Sequence, residues 1–221
     1  MTEFIVLRDE NFGRRVQSGP SGFDLFGGTI TSGTDLLPPD PRIMIEDMSK
    51  ADVEDMRRDP AVRAITRPMP TRLIAPVGDA SSDDASVTWG VEAVGAEASP
   101  FDGAGVKVAV LDTGIDPTHD AFSGVSLDMK NFTGGPDTEP DGNDHGTHCA
   151  GTVFGREVDG LRIGVAPGVT EAMIGKVLSD DGGGSSDMLF AGMKWAQAGG
   201  ARVISMSLCF DFPGRVESLV D

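Results

Sequence analysis

Val106-Lys107-Val108-Ala109-Val110-Leu111-Asp112-Thr113-Gly114 is the stretch that decides the fold. Val106–Leu111 is a nearly continuous apolar run, the pattern of a strand buried on both faces of a parallel sheet. Asp112 follows it directly, and Thr113-Gly114 turns the chain at the strand's carboxyl end. Open α/β sheets bind ligands outside those ends, so a carboxylate here points at a cleft. An Asp in a strand-to-loop turn is also a common structural residue, and this segment alone leaves both readings open.

Downstream the pattern alternates. A helix is expected from near His145 through Gly155, then a strand over Ala172–Leu178 and a loop at Gly182–Gly184. A helix over Ser186–Ala198 follows, capped by Gly199-Gly200, and then a strand over Ala201–Leu208. Such alternation predicts an α/β fold, a mainly parallel sheet with helices on both faces.

Upstream the chain reads differently. Residues 1–40 are expected to be an irregular segment, rich in Gly, Ser, Thr, Asp and Pro from residue 11 onward. Residues 41–75 read as a small α+β module. Pro41–Glu46 alternates like a strand, Ser49-Lys50-Ala51-Asp52 is a capping box, and Val53 and Met56 form a helical apolar stripe. Asp59-Pro60 ends that helix, and Ala61–Arg67 returns as a second strand. The unit is too small to be stable by itself. Residues 76–87 (PVGDASSDDASV) form an acidic linker, and residues 88–221 form the main domain.

Composition narrows the partners. A net charge of −17 argues against nucleic acid, whose phosphates select the opposite sign. No stretch approaches the roughly 20 apolar residues of a membrane span. The apolar run Phe4–Leu7, followed by Asp9 and Glu10, is too short for a signal peptide, so the chain reads as a cytosolic or precursor-type polypeptide. The two cysteines, Cys149 and Cys209, cannot form a disulfide framework.

Asn143-Asp144-His145-Gly146-Thr147-His148-Cys149-Ala150-Gly151-Thr152 is the second chemical cluster. His145 would lie at a helix N-terminus, where the helix dipole favours the neutral ring and suits it to act as a base. Three site types use these residues. In a Ser-His-Asp site, Asp112 orients His145 and His145 activates a serine. A metal site would use His145, His148, Cys149 and nearby carboxylates, although helix-borne zinc histidines more often sit four apart than three. An aspartic protease would need two Asp-Thr-Gly segments, and the chain has one.

The order of segments separates these. VAVLDTGID (Val108–Asp116), HGTHCAGT (His145–Thr152), GVAP (Gly164–Pro167), KVL (Lys176–Leu178) and ISMSL (Ile204–Leu208) resemble successive landmarks of the subtilase family of serine proteases. Trp89-Gly90 is similar to the start of a mature subtilisin domain, and the Cys after the second histidine is similar to the proteinase K branch. The resemblance implies that Asp112 and His145 are catalytic, with His148 a structural neighbour. It implies that Ser205, Met206, Ser207 and Leu208 bind an extended peptide substrate, with Lys176, Val177 and Leu178 on its opposite side. It implies an inhibitory propeptide in residues 41–70, protein or peptide substrates, and no cofactor or metal in the chemistry.

Three departures from the family pattern shape the expectations. Cys209-Phe210 stands where two glycines are usual, which would narrow or distort a subsite. Val158 replaces a side-chain oxygen ligand in the loop Arg156–Arg162, so a structural calcium there is doubtful. The family's oxyanion Asn and nucleophile serine would follow Leu208 by several tens of residues, whereas the chain ends at Asp221. The expectation is a truncated subtilisin-type endopeptidase, incomplete in its fold and completed by a C-terminal segment or a complementing chain. A non-catalytic peptide-binding protein and a metal hydrolase using His145 and His148 are the alternatives.

Overall fold

The computed structural model describes residues 2–12, 41–74 and 86–210, divided into two compact units, residues 1–68 and 69–221. The expected loop over residues 13–40, most of the linker and the terminal FPGRVESLVD beyond Phe210 lie outside the described residues.

In the first unit, β1 (Thr2–Asp9) is the central strand of an antiparallel sheet between β2 (Pro41–Met48) and β3 (Val62–Thr66). This corrects the irregular reading of the N-terminus: the run Phe4–Leu7 is strand, paired Ile5↔Ile45 and Ile5↔Thr66. Helix α1 (Lys50–Met56) begins at Ser49 with the expected capping box, Ser49 and Asp52 each accepting from the other's main-chain amide. Val53 packs with Val6 and Met48 in a small core flanked by Phe4, Met56 and Val62.

The second unit is built on a parallel sheet of four strands in the order β11 (Val203–Ser205), β5 (Val108–Asp112), β9 (Glu171–Lys176), β6 (Ser126–Asn131). Every residue of β5 is buried, and its alternation assigns the two faces. Val108 and Val110 pack with Ala150 and Phe154 of helix α3 (His145–Phe154). Leu111 and Ala109 pack with Leu189 and Ala196 of helix α4 (Ser186–Ala198). Helices therefore cover both faces, as the α/β reading expected. Helix α2 (Trp89–Ala93) precedes β5, and β7 (Glu157–Val158) and β8 (Leu161–Arg162) form a tight hairpin through Asp159 and Gly160, both at positive φ.

A second, antiparallel sheet of this unit positions the site. Its middle strand is β4 (Pro70–Leu73), held between β10 (Gly183–Ser185) and β12 (Leu208–Phe210). The strand expected over Ala201–Leu208 is thus divided. Val203–Ser205 stays in the parallel sheet, and Leu208 onward leaves it to pair with β4.

Candidate active site

Asp112 ends β5 with 1% of its surface exposed. Its main-chain oxygen accepts from Val177 N at 2.9 Å and Leu178 N at 3.1 Å, which fixes the strand end against the segment after β9. Its carboxylate Oδ1 accepts from Thr113 N at 2.8 Å and from His145 Nδ1 at 2.7 Å. Oδ2 is buried without a hydrogen-bond partner among the described residues. A carboxylate only accepts, so Nδ1 carries the proton of that bond and Nε2 faces away from Asp112.

His145 is the first residue of α3 and is 8% exposed. The chain enters the helix through Asp144 at a φ of 72°, a left-handed conformation that Asp tolerates better than most residues. Gly146 must be glycine, because a Cβ there would run into the Gly114 carbonyl oxygen. The close approach of these two backbones brings the loop after β5 and the start of α3 together. Asp141 reinforces the junction, accepting from Thr113 Oγ1 at 2.8 Å and from Thr147 N and Oγ1 at 2.8 and 2.7 Å. Burial pushes the Asp141 carboxyl up, but the hydrogen bonds from Thr147, Thr113 and Asn143 outweigh it and hold the group below the usual carboxylate range.

Cys149 lies one turn along α3, its Sγ 3.8 Å from Nδ1 and 3.9 Å from Nε2 of His145. Burial pushes its thiol up to about 11, against a hydrogen bond with Ser207. Asp112, His145 and Cys149 are the group whose ligand atoms approach metal-site spacing among the described residues. His148 is exposed and is not in that group, so the His145–His148 pair of the metal reading is not brought together.

Beside His145 runs β4. Leu208 faces Leu73 and Phe210 faces Thr71 on one edge, and Gly184 faces Thr71 on the other. Leu73 N donates to Gly182 O at 3.1 Å, Ile74 N donates to Ser207 O at 3.0 Å, and the Ile74 carbonyl oxygen lies 3.0 Å from His145 Nε2. Thr71 and Leu73 point inward, Leu73 packing beside Leu111, Val177, Leu178 and Leu189, while Arg72 points to solvent.

The expected substrate-binding residues are divided by this geometry. Ser207 and Leu208 border the extended strand, whereas Ser205 belongs to β11 and Met206 is exposed. Lys176, Val177 and Leu178 do not form the opposite edge. Lys176 is buried at the end of β9, donating to Thr113 O and Asp180, and Val177 and Leu178 pack behind β10. The opposite edge is Gly182–Ser185, where the sequence predicts only a loop at Gly182–Gly184. Gly184 permits it, since a Cβ there would meet Val177 O at 2.5 Å and Thr71 Oγ1 at 2.9 Å. Cys209 and Phe210 present main chain to β4, so the strand pairing forms with side chains at those positions.

The subtilase family profile matches residues 103–221, more than half of the chain and the part that carries Asp112 and His145. The chain belongs to the subtilase family. This subtilase is 33% identical over 176 residues to alkaline serine exoprotease A of Vibrio alginolyticus, a match covering 74% of the chain and 31% of that protein. It is 38% identical over 126 residues to subtilisin DY of Bacillus licheniformis, covering 56% and 45% respectively. The crystal structure of a cold-adapted subtilisin-like serine proteinase matches at 36% identity and a TM-score of 0.40, over 47% of this chain and 35% of that one. The chain thus spans less than half the length of these relatives. Among the described residues, no helix is long and apolar enough to cross a membrane.

Proposed function

We propose that this subtilase chain carries the propeptide region and the Asp–His part of a subtilisin-type serine endopeptidase. The observation that carries the reading is the place of Ile74. Its strand is paired on both edges, and its carbonyl faces His145 Nε2 at 3.0 Å. A peptide held as an added strand gains affinity from its main chain, while alternate side chains meet pockets.

In the proposed reaction a serine hydroxyl, which the family resemblance puts C-terminal to Leu208, attacks a peptide carbonyl carbon. Its proton passes to His145 Nε2, and Asp112, accepting from Nδ1–H, keeps the ring in the required tautomer and stabilises the imidazolium. The Nε2–H then protonates the departing amine as the C–N bond breaks. Water, deprotonated in turn by Nε2, releases the acyl group. With Ile74 seated, Nδ1 faces the Asp112 carboxylate and Nε2 faces the Ile74 carbonyl oxygen. The peptide bond on the carboxyl side of Ile74 is the one offered to the site.

The gene product carried through to its natural C-terminus is expected to hydrolyse casein-like substrates, and His145→Ala to abolish this. Undiminished hydrolysis by that variant would end the role given to His145. N-terminal sequencing of the active form is expected to begin at residue 75. A different start with proteolysis intact would keep the enzyme and remove Ile74's part in its processing.

A peptide-binding protein without hydrolysis draws on the same observation, because the main chain of residues 182–185 and 207–210 holds β4 without any nucleophile. A serine-directed fluorophosphonate separates the two readings, since covalent labelling of the native gene product excludes the second.

A further inference from the structure

We propose that Asp141 is a positioning residue: its buried carboxylate sets the aim of His145 by tying the turn after Asp112 to the first turn of α3. The catalytic consequence rests on the endopeptidase reading, but the spatial one does not.

The geometry has two arms. Oδ1 accepts from Thr113 Oγ1 at 2.8 Å and Asn143 N at 3.1 Å, and Oδ2 accepts from Thr147 Oγ1 at 2.7 Å and Thr147 N at 2.8 Å. Thr113 follows Asp112, and Thr147 is two residues beyond His145. The arms are cross-linked, because Thr113 Oγ1 accepts from Gly146 N at 2.9 Å and Thr147 Oγ1 accepts from Asp116 N at 2.9 Å. Asp141 N also bonds Ile115 O at 3.3 Å, docking the loop on the segment after β5. A chain of bonds therefore runs from the neighbour of one member of the Asp112–His145 pair to the neighbours of the other. Asp141 is only 8% exposed, so water competes little with it.

A carboxylate is the group this junction requires. Four donors converge on two oxygens, and an amide in the same place would offer one oxygen and turn an NH2 toward other donors. Asp144, the residue just before the helix, makes no side-chain cap bond, and Asp141 supplies that bond from outside the helix. A cap alone would need only the Thr147 arm. The Thr113 arm also meets the helix, its Oγ1 accepting from Gly146 N, and it is the arm that reaches the β5 turn.

The test separates those arms in the full chain, with 15N-labelled histidine and the variants Asp141→Asn, Thr113→Val and Thr113→Ser. In the parent protein the His145 Nδ1 proton, bonded to Asp112, is expected far downfield and protected from solvent exchange, and His145→Ala assigns it. Asp141→Asn and Thr113→Val are expected to move that resonance upfield and speed its exchange while far-UV circular dichroism stays native. Thr113→Ser, which keeps the hydroxyl, should restore it. In the active gene product the first two variants should lower kcat on the order of a hundredfold with KM little changed, as expected when a reacting group is misplaced by about an ångström.

Folded Asp141→Asn and Thr113→Val proteins with the parent's Nδ1 signal and kcat would overturn the proposal. If Asp141→Asn does not fold, the Thr113→Val and Thr113→Ser pair decides alone. Absence of proteolysis from the parent gene product would sink the endopeptidase reading, and the Nδ1 proton would still decide whether Asp141 aims the ring.

Discussion

Nε2 of His145 lies 3.0 Å from the main-chain oxygen of Ile74, a residue 71 positions earlier in the chain. Local sequence does not hold them together. Ile74 is carried there by β4, whose two edges are paired with β10 and β12, and its own amide donates to Ser207 O. Each edge uses main chain, so the pairing is indifferent to side chains, and Thr71 and Leu73 are the side chains it turns inward.

Thr71 is a poor match to its place. It is 3% exposed, and its Oγ1 has no hydrogen-bond partner among the described residues. A buried hydroxyl left unpaired costs about 1–3 kcal/mol, whereas an isosteric methyl costs nothing of that kind. Thr71→Val is therefore expected to stabilise β4 in the groove by roughly 1 kcal/mol. Hydrogen exchange at the Leu73 and Ile74 amides should slow. Faster exchange would mean the hydroxyl has a water partner and the pocket is polar.

Gly184→Ala tests the other wall. The added methyl would lie 2.5 Å from Val177 O and 2.9 Å from both Leu178 Cδ2 and Thr71 Oγ1. Overpacking of this kind typically costs about 1–3 kcal/mol. The amide of Leu73, bonded to Gly182 O, should exchange faster, while that of Ile74, bonded to Ser207 O on the opposite edge, should change less. Equal effects on both would mean that β4 leaves as a unit.

These residues also show what the sequence made legible. Asp112 and His145 could be found because each marks a boundary, a strand end and a helix start, with glycines beside them that the close approach of backbones requires. Helix α4 carries its own start and stop, and its expected span matches the observed one. Pro70–Leu73 and Gly183–Ser185 carry no β pattern. They are strands only because partner edges are present, which no local window contains. Thr2–Asp9 is strand for a related reason: its short apolar run is paired on both edges by β2 and β3, which lie far along the chain. Asp141 escaped because its bond to Thr113 spans 28 residues.

Asp141 also predicts an acid-labile junction. A carboxyl held below its ordinary value stabilises the fold fully above about pH 4 and loses that contribution as pH falls through its folded value. Asp141→Asn should cost about 2–3 kcal/mol at neutral pH, from the donors it leaves unpaired. Its stability should then decline less steeply than the parent's below pH 4. Parallel curves in urea melts across that range would show that the carboxylate has no such role.

Cys149 predicts the opposite slope at high pH. Burial pushes its thiol up to about 11, and the Asp112 carboxylate adds to the effect. An unfolded cysteine ionises near 8.5, so between there and about 11 the folded state binds the extra proton and stability falls as pH rises. Cys149→Ala should flatten that fall. At pH 8 the folded chain should hold roughly a hundredfold less thiolate at Cys149 than a free thiol, so iodoacetamide should alkylate it correspondingly slowly. Alkylation at the free-thiol rate would show that burial does not hold the thiol protonated.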